Sequence, residues 1–470
     1  MQQTRTKIIC TIGPATKNLS TLRSLYNNGM NVVRINMSHA DHKSASSVIK
    51  NINKINQDPK SKYGPIGILL DTQGPEIRTG DTEHILDLKE GDEVTLTVRD
   101  QIDVETSSIK INYKDLIKSV SPGSRITVDN GLINFKVLSK QEETLLCRVL
   151  DGGKLGSKRH VNLPGVRVNM PSITSKDLKD IAFGIKNKVD FIALSFVRDA
   201  DDLDKLQVIL DKSRSAAKII AKIENQEGLD NIDTICKSSW GVMVARGDLG
   251  IETSLTDLPN IQRRIMHACG KWGKRSIVAT HLLESMINNP TPTRAEASDV
   301  ANAIYEGADA VMLSGETSVG KYPVDCVKFL KSISYKTEKF TTLGYEKNLV
   351  PTSDWQHIGI TAKHLAESTN ADGIIAITRT GETANLVSNA KPNGIPIYTF
   401  TNNKSTYSKL SLVGSSHAFL IGSIRDHDKA LSKVISILKK DISLSSGSKF
   451  ILVSGIFSEN HSEAIQIIKI

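Results

Sequence analysis

Residues 219–250 read IIAKIENQEGLDNIDTICKSSWGVMVARGDLG. Two short apolar runs, Ile219–Glu224 and Gly241–Ala245, are each followed at once by polar or Gly-containing residues. Runs this short and this rich in branched side chains predict parallel strands buried on both faces. The same pattern recurs outward in both directions, at Lys7–Ile12, Val32–Met37, Ile66–Asp71, Phe191–Val197, Ser276–Thr280 and Ala310–Leu313. Helical periodicity lies between runs, at Ser175–Lys186, Asp201–Leu210, Pro259–Trp272 and Ala295–Glu306, with Thr293 and Glu296 as a capping box before the last. Eight strand–helix repeats are the count of a (β/α)₈ barrel.

One interruption and one extension complete the plan. Between Thr72 and Pro171 the pattern changes to alternating strands at Glu93–Val98, Arg125–Val128, Leu132–Leu138, Thr144–Leu150 and Arg159–Leu163, punctuated by Asp129-Asn130-Gly131 and Asp151-Gly152-Gly153. This predicts a β-barrel domain inserted after the third barrel strand. After about Thr341 a further α/β unit is expected, with strands Gly373–Thr378, Ile397–Phe400, His417–Ile421, Lys449–Val453 and Ala464–Ile470, and an amphipathic helix over Asp428–Lys440. The expected division is 1–72 with 172–343 for the barrel, 73–171 for the insert and 344–470 for the C-terminal α/β domain.

Composition fits this class. The 470 residues are 39% hydrophobic, 24% charged and 5% aromatic, which excludes disorder, collagen and a disulfide scaffold. The net charge of +9 is spread along the chain with no run of five basic residues, which suits an enzyme of anionic substrates better than a nucleic-acid binder. Cys10, Cys147, Cys236, Cys269 and Cys326 include no Cys-x-x-Cys pair and are expected to be reduced. The N-terminal MQQTRTKIIC lacks a long apolar stretch and no run approaches a membrane span, so a cytoplasmic location away from membranes is expected.

Chemistry is expected at the C-terminal ends of the barrel strands. There the second strand delivers Arg34, Asn36, Ser38 and His39, the third Asp71 and Thr72, and the fifth Lys222 and Glu224. The sixth adds Arg246, Gly247 and Asp248, the seventh Thr280, and the eighth Ser314 and Glu316. Residues two apart on a strand share a face, so Lys222 and Glu224 point together, as do Arg34 and Asn36. Burying so many charged groups without a use for them is costly. Glu224 and Asp248 suit a hard divalent cation, Mg²⁺ or Mn²⁺, which takes one or two carboxylates and completes its shell with water and substrate oxygens. Lysine and arginine beside it would neutralise a transferring phosphoryl group. Gly315–Lys321 imitates a P-loop, but Tyr322 replaces the required hydroxyl and Pro323 follows.

The segments Lys7–Thr16, Val33–His39, Leu70–Gly80, Ile220–Asn225, Met243–Glu252, Ala279–Met286 and Val311–Thr317 resemble, in that order, those of pyruvate kinases, and the likeness runs over nearly the whole chain. It implies a glycolytic phosphotransferase passing the phosphoryl group of phosphoenolpyruvate to ADP, giving pyruvate and ATP. By position, Glu224 and Asp248 would hold Mg²⁺ or Mn²⁺, and Lys222 and Arg34 would stabilise the moving phosphoryl group. Thr280 with the Gly247 and Asp248 amides would hold the carboxylate and enolate end, and Ser314 would serve proton delivery. Asn36, Ser38, Asp71 and Thr72 would form a K⁺ site, with Glu76 the residue type that accompanies K⁺ dependence. Arg78, His39 and Arg159 match nucleotide-contacting positions. The likeness also implies a homotetramer.

Departures from the family pattern are local. Arg159-His160 stands for the usual Lys-Gly, Gln73 for a frequent Lys, and His281 for a frequent Gln. Thr378–Thr383 resembles the family's effector loop, but Ser454–Ala464 lacks its Gly- and Thr-rich partner, so no allosteric effector is assigned. A metal-dependent keto-acid lyase on the same barrel is the competing reading. It shares Glu224 and Asp248 but needs neither nucleotide nor insert.

Overall fold

The computed structural model describes residues 4–58, 64–82, 84–99, 108–422, 427–442, 447–454 and 464–470. Eight parallel strands close into a barrel: Lys7–Thr11, Val32–Asn36, Gly67–Asp71, Phe191–Leu194, Lys218–Ile223, Gly241–Ala245, Arg275–Ala279 and Ala310–Leu313. Neighbours in the chain are neighbours in the barrel, and the eighth strand pairs with the first through Lys7–Ala310 to Cys10–Leu313. Small and branched side chains fill the interior, among them Ile9, Val32, Leu69, Ile220 and Ile277, and Leu412 of the C-terminal unit closes the floor. The outer face of the strands packs on amphipathic helices. Ser175–Lys186 and Arg294–Tyr305 each begin in a capping box, Thr174 with Asp177 and Thr293 with Glu296.

Five of the eight strands end one to three residues earlier than the sequence predicts, and the third, sixth and eighth end where expected. Thr280, expected as the last residue of the seventh, has left it with φ 66°, and His281 follows at φ 54°. A left-handed conformation for two non-glycine residues is costly and needs outside support. Arg246 provides that support, donating from Nε to the carbonyls of Ala279 (3.1 Å) and Thr280 (3.2 Å).

The insert follows the third strand. Its seven-stranded sheet runs Ile77–Arg78, His160–Asn162, Arg125–Val128, Ile133–Lys140, Thr144–Asp151, Glu93–Thr97, Ser108–Lys110. A bridge between Thr79 and Ile111 brings its two edges together. Asp129, Asn130 and Gly131 take φ of 54°, 57° and 86°, the left-handed turn their composition predicts. The pairs Leu86–Leu88 and Gly153–Leu155 form a second, two-stranded sheet.

The C-terminal unit carries a five-stranded sheet in the order Ser416–Leu420, Ile397–Thr401, Gly373–Ile377, Lys449–Ser454, Ala464–Lys469, with only the last pair antiparallel. It meets the barrel floor through buried polar contacts. Arg275 pairs with Asp309 (3.2 Å) and donates to Ser388 (2.5 Å) and Asn389, while Lys7 donates to the Ser416 carbonyl. Residues 455–463 of the sequence segment considered above for an effector lie outside the described residues.

Candidate active site

Lys222 occupies the centre of the barrel mouth. Its Nζ lies 2.9 Å from Glu224 Oε1 and 3.1 Å from Asp71 Oδ1, and donates to Ser195 Oγ at 2.6 Å. The shared strand face of Lys222 and Glu224 thus becomes a contact. Arg34 approaches Asp71 from the other side, Nε to Oδ2 at 2.6 Å, and also reaches Thr11 Oγ1 at 3.0 Å. All four charged groups have little exposure, so their interactions are poorly screened.

The electrostatics follow from that burial. Burial acts to lower the Lys222 pKa, but Asp71 and Glu224 outweigh it and hold the ammonium above its ordinary range. Burial acts to raise Asp71, but Lys222 and Arg34 keep it low. Glu224 goes the other way, pushed up to about 7 by burial first, with Asp248 adding repulsion against Lys222. Burial raises Asp248 as well. Two neighbouring carboxylates that ionise reluctantly in protein alone are suited to receiving added positive charge.

The sixth strand feeds directly into the helix Arg246–Glu252, which places Gly247 and Asp248 in its first turn. The Gly247 amide donates to Thr280 Oγ1 at 2.9 Å. A Cβ on Gly247 would meet Thr280 at only ordinary contact distance, 3.8 Å, so the protein leaves this space open. Ser314 follows the eighth strand, its amide held by Glu316 Oε2 (2.7 Å) and its buried Oγ without a hydrogen-bond partner among the described residues. The P-loop likeness has a structural explanation: a Cβ on Gly320 would run into the Glu316 backbone, so that glycine serves a tight turn.

A cleft of about 400 Å³ opens above these groups, between barrel and insert. Arg34, Asn36, Ser38 and His39 line it from the second strand, Lys222, Glu224 and Asp248 from the fifth and sixth, and Glu76, Arg78, Arg159 and His160 from the insert side. Glu76 is engaged three ways, by Arg78 Nε (2.7 Å), Arg78 Nη2 (2.6 Å) and Gln73 Nε2 (2.9 Å). Arg159 turns toward Asp129 at 3.4 Å, and His160 Nδ1 lies 3.8 Å from Asp248 Oδ1. Asn36 Oδ1 accepts the Ser38 amide at 3.1 Å. Asp71 and Thr72 sit deeper than the cleft lining: the Thr72 hydroxyl donates to Ala193 O (3.2 Å) and accepts the Ser195 amide (3.2 Å).

Several positioning residues escape the sequence. The Phe196 amide donates to Glu224 Oε2 at 2.7 Å, with Phe196 at φ 54°. Asp177 accepts the amides of Gln73 and Gly74, both at 3.1 Å, fixing the chain as it leaves the third strand. Arg246 is clamped by both oxygens of Asp299, at 2.9 and 2.8 Å. Arg246 is legible in the sequence as a rim residue and Ser195 as a polar interruption of the apolar run Phe191–Val197; Phe196, Asp177 and Asp299 carry no such signal.

Residues 3–327 match the family model for the pyruvate kinase barrel domain, and 356–470 the model for the pyruvate kinase alpha/beta domain. The chain belongs to the pyruvate kinase family. A pyruvate kinase of Staphylococcus epidermidis is 40% identical over 461 residues, covering 96% of this chain and 78% of that one. Plastidial pyruvate kinase 2 of Arabidopsis thaliana is 38% identical over 473 residues, covering 99% and 81%. The crystal structure of a pyruvate kinase from Cryptosporidium parvum superposes with a TM-score of 0.94 at 35% identity, covering 100% of this chain and 96% of that one. Pyruvate kinase family membership makes this chain a phosphotransferase, on a barrel with an inserted β unit and a C-terminal α/β unit. Among the described residues no helix is long and apolar enough to cross a membrane.

Proposed function

We propose that the cleft around Lys222 binds phosphoenolpyruvate and ADP and passes the phosphoryl group between them. The observation that carries the reading is the contact of Lys222 Nζ with Glu224 (2.9 Å) and Asp71 (3.1 Å) at the barrel mouth. The bond from phosphorus to the enol oxygen breaks, a bond to a β-phosphate oxygen of ADP forms, and the resulting enolate takes a proton at its methylene carbon. Such transfer asks the protein mainly for position and fixed charge. Lys222 and Arg34 supply positive charge from buried, hydrogen-bonded side chains that do not need to reorganise. The Gly247 and Asp248 amides, at the start of a helix, and Thr280 Oγ1 hold the substrate's carboxylate and enolate end. Ser314 Oγ, buried and without a partner among the described residues, serves the path by which the proton reaches carbon.

Glu224 and Asp248 fit Mg²⁺ or Mn²⁺. The burial of Glu224 and the repulsion between the two carboxylates favour added positive charge, and among the described residues no third His, Cys, Asp or Glu joins them, which leaves coordination positions for water and substrate oxygens. When bound, the ion neutralises phosphoryl charge. Asn36, Ser38, Asp71 and Thr72 are the proposed K⁺ site, with Glu76 its determinant. Arg78, His39 and Arg159 are assigned to the nucleotide, because they line the cleft from its two opposite sides.

The insert, 73–171, acts as a lid on the barrel, 1–72 and 172–343, and 344–470 forms the C-terminal domain. Arg159 and His160 reach the same cleft as Lys222, which the lyase reading does not require. A homotetramer in the cytoplasm is the proposed setting. All five cysteines are free and buried, in keeping with it. A coupled assay tests the reading: pyruvate should form only when phosphoenolpyruvate, ADP, a divalent ion and K⁺ are all present. Turnover without ADP would establish the lyase instead.

A further inference from the structure

A second cleft, of about 370 Å³, lies at the other end of the barrel, at its junction with the C-terminal unit. Lys218, Trp240 and Lys274 line it at the points where the fifth, sixth and seventh strands begin, opposite the ends that carry the active site. Across from them stand Gln356, on the helix Asp354–Ser368, and Asn385, on the helix Glu382–Asn389.

The polar groups here are unevenly matched. Lys274 Nζ donates to the carbonyls of Ser239 (2.7 Å) and Lys237 (3.1 Å). An ammonium carries three donors, so one is left over. Among the described residues neither Lys218 nor Lys274 forms an ion pair; the acid acting on Lys274 from the C-terminal unit is Glu382, exposed at the rim. Arg275 next to it is already spent on Asp309, Ser388 and Asn389. Burial also disfavours the charge on Lys274. On the facing wall Asn385 Oδ1 is buried with no partner among the described residues, while Asn389 Nδ2 donates to Gln356 Oε1 at 2.9 Å and Gln356 Nε2 to the Leu386 carbonyl at 2.9 Å. A buried acceptor left open is costly. The cleft therefore offers excess positive charge on the barrel side and an open acceptor on the other.

We infer that this junction cleft binds a small hydroxylated anion, with its phosphate or carboxylate on Lys218 and Lys274 and a hydroxyl donating to Asn385 Oδ1. Such an occupant ties the barrel floor to the C-terminal unit. The inference does not depend on the assignments at the barrel mouth.

The chain's own fluorescence tests it, because two of its three tryptophans, Trp240 and Trp272, line the cleft. The full-length protein is titrated with glycerol 3-phosphate, D-glycerate and inorganic phosphate. Saturable emission changes with glycerol 3-phosphate identify a phosphate anion, and with glycerate a carboxylate. Lys274→Met should weaken the effective probe by about tenfold, as for loss of a charged hydrogen bond, and Lys218→Met provides the same test at the other lysine. Asn385→Leu should abolish any advantage of glycerol 3-phosphate over inorganic phosphate. Lys222→Met, at the far end of the barrel, should leave the titration unchanged. The inference fails if neither organic probe gives a saturable change. It fails equally if the response survives both lysine substitutions or is lost in Lys222→Met.

Discussion

Asn162 of the insert donates from Nδ2 to Glu252 Oε1 of the barrel at 2.8 Å, across a contact in which Asn162 is almost fully buried. Two residues earlier on the same strand, His160 faces Asp248, four residues earlier on the same helix. Strand and helix therefore meet in register, and the angle of the insert is coupled to the helix that carries Asp248. Asn162→Ala removes a bond to a carboxylate that burial already disfavours as an anion. We expect a more open particle in small-angle scattering with Mg-nucleotide, and a KM for ADP raised several-fold with kcat less affected. Unchanged scattering and KM would show that the contact does not set the lid.

Lys222→Met should lower kcat by at least about 10²–10³-fold, the scale for loss of a preorganised charge at a transition state. It also leaves Glu224 and Asp71 without their shared ammonium, so some loss of Tm is expected, limited by Arg34, which still pairs with Asp71. Near-normal turnover in a variant with a native circular dichroism spectrum would refute the role.

Glu76→Lys should flatten the response to K⁺, since a fixed ammonium supplies positive charge near the cleft. Glu76 now holds Arg78 and Gln73, so the variant also frees both. A K⁺ titration of initial rates decides the matter, and an unaltered curve in an active variant counts against the assignment.

Asp299→Ala removes the carboxylate that grips Arg246, and with it the brace on the left-handed Thr280–His281 turn. The predicted result is about a tenfold drop in kcat/KM for phosphoenolpyruvate, carried by displacement of Thr280. Asp299→Asn, which keeps one acceptor, should recover part of it. Equal kcat/KM in all three proteins would mean that the turn holds without the clamp.

Asp202 provides a pH test away from the site. Burial acts to raise its pKa, but Arg198, at 3.0 and 3.1 Å, and Lys205, at 3.0 Å, bring it down to about 2. Its folded value lies below the unfolded value of about 3.9, so its stabilisation is present above pH 4 and is lost as pH falls toward 2. The linkage corresponds to about 2–3 kcal/mol. The Tm difference between wild type and Asp202→Asn should shrink steadily over that window; a gap that stays constant to pH 2 would show that ionisation of Asp202 is not its source.

Much of the fold is legible because buried parallel strands have few ways to be written. Phe191–Leu194, Gly241–Ala245 and Ala310–Leu313 are apolar at every position, with both faces covered. The short strands Ile77–Arg78, Leu86–Leu88, Ser108–Lys110 and Gly153–Leu155 are not legible. Two or three residues carry no period, and each becomes a strand only because a partner lies alongside.

The order of residues along the chain determined the eight repeats, the place of the insert and the set of polar residues brought to one rim, since strand periodicity and barrel closure leave little choice. Tertiary structure alone decided which of those groups touch. Asp71 is shared by Arg34 and Lys222, Glu224 is held by the Phe196 amide as well as by Lys222, and Arg246 turns back to brace Thr280. Hydrogen bonds and buried charges choose partners by distance and dielectric surroundings, and neither is set until distant segments have packed.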